Sequence, residues 1–133
     1  MKVLLDTCSM LWALLEPRRL TARARAILEN PDHEVVVSSI SFWEISLKHS
    51  LGKLDIQGAQ PEDFPTFVEQ AGWNILSLSP QTAASFSRLP RSARHRDPFD
   101  RMLVWTAIHQ ELTLISRDRT LSEYQAFGLR LCH

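Results

Sequence analysis

The spacing of apolar residues changes from run to run along this chain, and each change predicts an element. Lys2 to Leu5 is a short stretch with no polar face, as expected of a parallel strand covered on both sides. After Asp6 and Thr7, Ser9 to Leu15 reads as a helix stopped by Pro17. Thr21 caps a second helix running to about Glu29. Glu34 to Ser38, with three consecutive valines, is a second strand, and Ser41 opens a helix to about Ser50, closed by Gly52. Pro61 to Ala71 has a helical pattern with Gly72 at its end, and Trp73 to Leu78 reads as a third strand.

Cap-then-proline signals at Ser79-Pro80 and Asp97-Pro98 start helices to about Leu89 and Gln110, separated by a basic loop from Pro90 to Arg96. Leu112 to Ser116 reads as a strand, Thr120 to Gln125 as a short helix, and Leu129 to Cys132 as an edge strand. Strands alternating with helices predict an α/β three-layer sandwich around a central, mainly parallel sheet of four to five strands. With no linker or repeat, residues 1–133 are expected to form one domain.

Composition narrows the choice of chemistry. Hydrophobic residues make up 44% and charged residues 23%, ordinary values for a globular domain, and the formal net charge is zero. Polyanion binding must therefore rely on local patches. One is available in Arg88, Arg91, Arg94, Arg96 and Arg101, with His95 among them; a second, Arg18, Arg19, Arg23 and Arg25, reads equally well as solvated helix surface. Cys8 and Cys132 have neither metal-ligand nor redox spacing, so a reducing cytoplasm is the expected location. The longest apolar run, Met10 to Leu15, is far below the ~20 residues of a spanning helix, and Asp6 spoils the start of the chain as a signal peptide, so no membrane is expected.

The chemistry lies in the acids. Asp6 and Asp118 each follow an expected strand, and Glu44 and Asp100 each fall in the first turn of an expected helix. In open α/β sheets ligands bind beyond the carboxyl ends of the strands. Each acid also has a purely structural use. Asp6 can cap a helix. Glu44 can close a Ser41-x-x-Glu44 capping box, or pair with Lys48 one turn on. Asp97 suits an N-cap, Asp100 a helix dipole, and Asp118 the turn before Thr120-x-x-Glu123. Four carboxylates on one rim would have a further consequence. Two of them ~4 Å apart repel by about 4 kcal/mol at an effective dielectric near 20, a penalty that a hard divalent cation removes.

Four segments in order carry a resemblance: Leu4-Leu5-Asp6-Thr7, Ser39-x-x-x-Trp43-Glu44-Ile45, Asp100-Arg101-Met102-Leu103-Val104-Trp105-Thr106-Ala107 and Leu114-Ile115-Ser116-Arg117-Asp118. Together they resemble the PIN-domain ribonucleases, and within them the VapC-type toxins of toxin–antitoxin pairs. The resemblance implies metal ligation by Asp6, Glu44 and Asp100, with Asp118 as the fourth catalytic acid. It implies supporting hydroxyls at Thr7 and Ser116, and an auxiliary place for Asp97 beside its capping role. The expected activity is Mg²⁺- or Mn²⁺-dependent endoribonuclease, leaving a 5′-phosphate and a 3′-hydroxyl. Arg94, Arg96 and Arg101 would position the RNA backbone, while His95 reads first as an exposed loop residue. The expected partners are an RNA substrate, a cognate antitoxin covering the acidic cleft, and a second copy in a homodimer. Trp12, Trp43, Trp73 and Trp105 read as core or interface rather than base-stacking residues. The alternatives are a non-toxin RNA-processing nuclease of the same fold and a catalytically silent RNA- or protein-binding module. An aspartyl-phosphate enzyme is disfavoured, because Cys8 stands where a second Asp would be needed.

Overall fold

The computed structural model describes residues 1–133 and contains five parallel strands. These are β1 (Lys2–Leu5), β2 (Glu34–Ser38), β3 (Asn74–Leu76), β4 (Thr113–Ile115) and β5 (Arg130–Cys132), in the spatial order β3-β2-β1-β4-β5. The helices between them are α1 (Thr7–Leu15), α2 (Ala22–Glu29), α3 (Ser39–Ser50), α4 (Phe64–Gln70), α5 (Pro80–Ser85) and α6 (Pro98–His109). Short 3₁₀ segments occupy Pro17–Arg19, Pro61–Asp63, Phe86–Arg88 and Arg119–Phe127.

The pleat of the sheet sorts its residues into two cores. Val3, Leu5, Val35, Val37 and Ile115 point to one face, where they meet Met10, Ile45, Phe64 and Val68. Leu4, Val36 and Leu114 point to the other, against Leu103, Val104 and Ala107 of α6 and Leu121 and Tyr124 of the last 3₁₀ segment. The expected three-layer sandwich is thus present, with five strands, all parallel.

Strand order reverses beside β1: the chain winds outward through β2 and β3, then returns to lay β4 against the opposite edge of β1. Such a reversal splays the connections apart and leaves a crevice above the strand ends. Asp6 emerges there, its amide hydrogen-bonded to the Ile115 carbonyl at 3.1 Å.

Several boundaries differ from the sequence reading, for local reasons. Helix α1 starts at Thr7, because Asp6 itself caps it by accepting from the Ser9 amide at 2.8 Å. Helix α3 follows β2 directly and is capped by Ser38, which accepts from the Ile40 amide at 3.1 Å, so Ser41 does not open it. The third strand is trimmed to Asn74–Leu76. The last expected helix is a nine-residue 3₁₀ stretch capped by Asp118. Gly72 closes α4 with φ of 83°, a left-handed conformation that favours glycine.

Candidate active site

Shifting the start of α3 changes what Glu44 can do. A Ser41-x-x-Glu44 capping box would have turned its carboxylate back on the helix, but with Ser38 as the cap Glu44 is free of that duty. It is only 4% exposed, and both its oxygens are engaged. Thr7 donates to Oε1 at 2.6 Å and shares a further hydrogen bond of 2.9 Å with Ser41. The Lys48 ammonium binds Oε2.

The start of α6 supplies two more acids. Asp97 caps the helix, accepting from the Phe99 amide at 2.8 Å, and its Oδ2 lies 3.6 Å from Lys48 Nζ. Asp100 sits in the first helical turn, partly buried. Carboxylate oxygens of Glu44, Asp97 and Asp100 lie within 4.8 Å of one another. Asp6 faces the same crevice: its charge and those of Glu44 and Asp100 act on each other. The buried Ser116 hydroxyl faces Asp6 and favours its ionised form.

The protonation equilibria register this crowding. Burial, followed by the charges of Asp97, Glu44 and Asp6, pushes Asp100 up from 3.8 to about 7, although Lys48 opposes the shift. Burial also holds Asp6 above the ordinary carboxylate range; hydrogen bonds from Ser116 and Ser9 work against it, and Glu44 adds to it. Cys8 is raised from 9.0 to about 11 by burial and then by Asp6, Glu44 and Asp100. Partial desolvation would lower Lys48, but Glu44, Asp97 and Asp100 outweigh it and the ammonium is held more tightly than usual.

Four carboxylates against one ammonium is a donor set suited to a hard divalent cation, which prefers several oxygen ligands. Asp6, Glu44, Asp97 and Asp100 could hold such an ion. Asp97, expected as a cap with an auxiliary role, has both positions. Asp118 stands apart from this group. It is exposed, caps the last 3₁₀ segment through the Thr120 amide at 3.0 Å, and has its second oxygen 4.0 Å from His95 Nδ1. Its link to the acids is indirect, through a 3.1 Å hydrogen bond from its amide to Ser116 Oγ.

The basic residues also separate. Arg96 is exposed and lines a cavity of about 460 Å³ with Arg91, Ser92, His95 and Arg101. Arg94 is exposed at the rim, 4.0 Å from Glu123. Arg101 is tied inward: it donates to the Leu89 and Pro90 carbonyls at 3.2 and 3.1 Å and lies over Phe86. His95 is buried rather than exposed, flanked by Asp118, Glu123 and the Tyr124 ring. The sequence reading paired Lys48 with Glu44 but missed that Asp97 is its second partner. That requires α3 to pack on α6, which no local spacing discloses.

Comparisons with known proteins agree with this architecture. A family model described as the PIN domain matches residues 3–126. The chain is 31% identical over 125 residues to Ribonuclease VapC22 of Mycobacterium tuberculosis (strain ATCC 25618 / H37Rv), covering 92% of each sequence. Among solved structures it resembles VapBC-1 from nontypeable Haemophilus influenzae, with a TM-score of 0.66 at 20% identity over 99% of this chain and 97% of that one. It resembles DNA-bound VapBC from Salmonella typhimurium to the same degree, with TM-score 0.66, 20% identity and the same coverage. VapBC2 from Rickettsia felis, bound to a promoter DNA fragment, gives 0.65 at 16% identity, over 99% and 98% of the two chains. At these identities the structural likenesses establish a shared fold.

Proposed function

We infer the activity from a premise that the matches establish: the chain belongs to the PIN domain family. It is an endoribonuclease that hydrolyses RNA phosphodiester bonds with Mg²⁺ or Mn²⁺, and the toxin of a toxin–antitoxin pair. One observation carries this reading. Carboxylate oxygens of Glu44, Asp97 and Asp100 lie within 4.8 Å of one another, the charge of Asp6 acts on Asp100, and one lysine does not neutralise the group.

A divalent cation held by these acids would supply charge neutralisation at the scissile phosphate and make water a better nucleophile. The chain's own residues set the stage. Thr7 fixes Glu44 and Ser116 fixes Asp6, so that neither carboxylate turns away. Asp118 supports from the rim, since its amide holds Ser116. Arg96 and Arg94 meet the RNA backbone, while Arg101 holds the basic loop that presents them.

Its similarity to Ribonuclease VapC22 supports the ribonuclease assignment, and its likeness to VapBC structures supports an antitoxin partner. Trp43 (61% exposed), Leu47 (39%) and Leu51 (58%) form an apolar stripe along α3, which suits burial against a second copy in a homodimer. No helix is long and apolar enough to cross a membrane. Two unpaired cysteines suit the reducing cytoplasm, where the RNA substrate is found.

The test is cleavage of a mixed RNA pool by the purified chain with Mg²⁺. The triple variant Asp6→Asn, Glu44→Gln, Asp100→Asn should lose cleavage by more than about 100-fold while retaining its circular dichroism spectrum. Undiminished cleavage by that variant, or by the parent in excess EDTA, would refute the assignment.

A further inference from the structure

Glu44 divides the acidic crevice into two sides. Oε1 receives the hydroxyl of Thr7, the residue that follows Asp6, at 2.6 Å. Oε2 receives the Lys48 ammonium, which also lies 3.6 Å from Asp97 Oδ2. Of the three carboxylates whose oxygens sit within 4.8 Å of one another, Glu44 and Asp97 are thus already served by a positive charge. In two-metal phosphodiester chemistry a pair of ions stands about 3.5–4 Å apart and clamps the attacking and leaving oxygens. Here one half of such an arrangement contains a lysine.

We propose that this chain works with a single divalent ion, on the Asp6–Glu44–Asp100 side, and that the Lys48 ammonium stands in for the second ion on the Asp97 side. The inference rests on the nuclease reading and specifies its cation arrangement. Several features fit Lys48 for this place. Its ammonium lies over the buried Phe99 ring, 5.8 Å from the centroid, a further contact that favours the charged head group in this place. An ammonium is a compact point charge, closer in form to a metal ion than a planar guanidinium is. Its two carboxylate partners come from different helices, α3 and α6, so its position is fixed by packing rather than by a flexible surface pairing.

Because Lys48 holds this place before any substrate arrives, its loss should be readable without RNA. The experiment is equilibrium titration of the full chain with Mn²⁺ alone, followed by electron paramagnetic resonance of the free ion. The parent should bind one Mn²⁺ per chain. Lys48→Met should bind two, and Lys48→Arg, which keeps the charge, should bind one. Lys48→Gln serves in place of the methionine variant if circular dichroism shows the latter unfolded. In a parallel RNA cleavage assay, Lys48→Met should need at least about tenfold more Mg²⁺ for half-maximal rate, because an ion must fill the place of the ammonium. Two Mn²⁺ ions on the parent would overturn the proposal, as would one ion on Lys48→Met with unchanged affinity. If no protein binds Mn²⁺ and the parent leaves RNA intact, the nuclease reading itself fails, and this inference with it.

Discussion

Replacing Asp100 by asparagine should stabilise the metal-free protein while abolishing its activity, and the size of the effect follows from the crowding around that carboxyl. Its pKa lies at about 7, against 3.8 for a free aspartate, because burial and the charges of Asp97, Glu44 and Asp6 oppose ionisation. Below about pH 4 the group is protonated in both folded and unfolded chains and costs nothing. Between pH 4 and 7 the unfolded chain gives up the proton more readily than the folded one, so stability declines as pH rises. At 1.36 kcal/mol per pKa unit the full penalty above pH 7 is about 4 kcal/mol. Partial exposure and screening reduce this to about 1–3 kcal/mol, and losing the charge from the first turn of α6 subtracts a further ~0.5 kcal/mol. For a domain of this size each kcal/mol moves Tm by roughly 3–5 °C. In EDTA at pH 8, Asp100→Asn should therefore melt about 2–12 °C above the parent, with the gap vanishing near pH 4. Added Mg²⁺ should raise the parent's Tm and leave the variant's unmoved. A Tm difference independent of pH, or a variant less stable than the parent in EDTA at pH 8, would refute the argument.

Other consequences can be checked as directly. Exposed Cys8, with a pKa of about 11, should be only about one part in a thousand thiolate at pH 8; its labelling by iodoacetamide should be slow and should accelerate when Mg²⁺ offsets the neighbouring carboxylates. Labelling in EDTA as fast as in the unfolded chain would count against a crowded acidic crevice. Thr7→Val removes the donor to the buried Glu44 and should cost about 1–3 kcal/mol in urea unfolding and about 10–100-fold in RNA cleavage. Leu103→Ala, in the core beneath the site, should cost about 2–5 kcal/mol, with catalytic rate retained at temperatures where the variant stays folded. Trp43→Ser should lower Tm of the isolated chain by about 2–7 °C, through loss of its edge contact with Phe99, and should weaken self-association in sedimentation.

Much of this architecture was legible in the chain because its signals are local. Uninterrupted apolar runs at Val3 to Leu5 and Val35 to Val37 mark doubly covered strands, and Thr21, Ser79 and Asp97 are caps whose hydrogen bonds form within three residues. Asp6 and Asp100 could be placed for the same reason, since a strand end and a helix start each give an acid a direction. The rest depended on packing. Ser38 and Ser41 look alike as caps, and choosing between them requires knowing that α3 follows β2 without a loop. That choice decides whether Glu44 serves its own helix or the crevice. His95 reads as a loop residue, yet the loop folds against the last 3₁₀ segment, where Ser92 binds Glu123 and the imidazole lies beside Tyr124. Asp118 ends a strand as expected, but its capping of the next segment keeps its carboxylate at the rim.

The placement of β1 between β2 and β4 has a consequence for the timing of biosynthesis. The first strand made waits for one neighbour completed by residue 38 and another completed only at residue 115, and Thr21 hydrogen-bonds the carbonyl of His133, 112 residues further on. Pairings of such long sequence separation form late and slowly. A nascent chain that has not passed residue 116 therefore lacks the β4 edge and the Ser116 hydroxyl that hold Asp6, so its acidic crevice is not yet assembled.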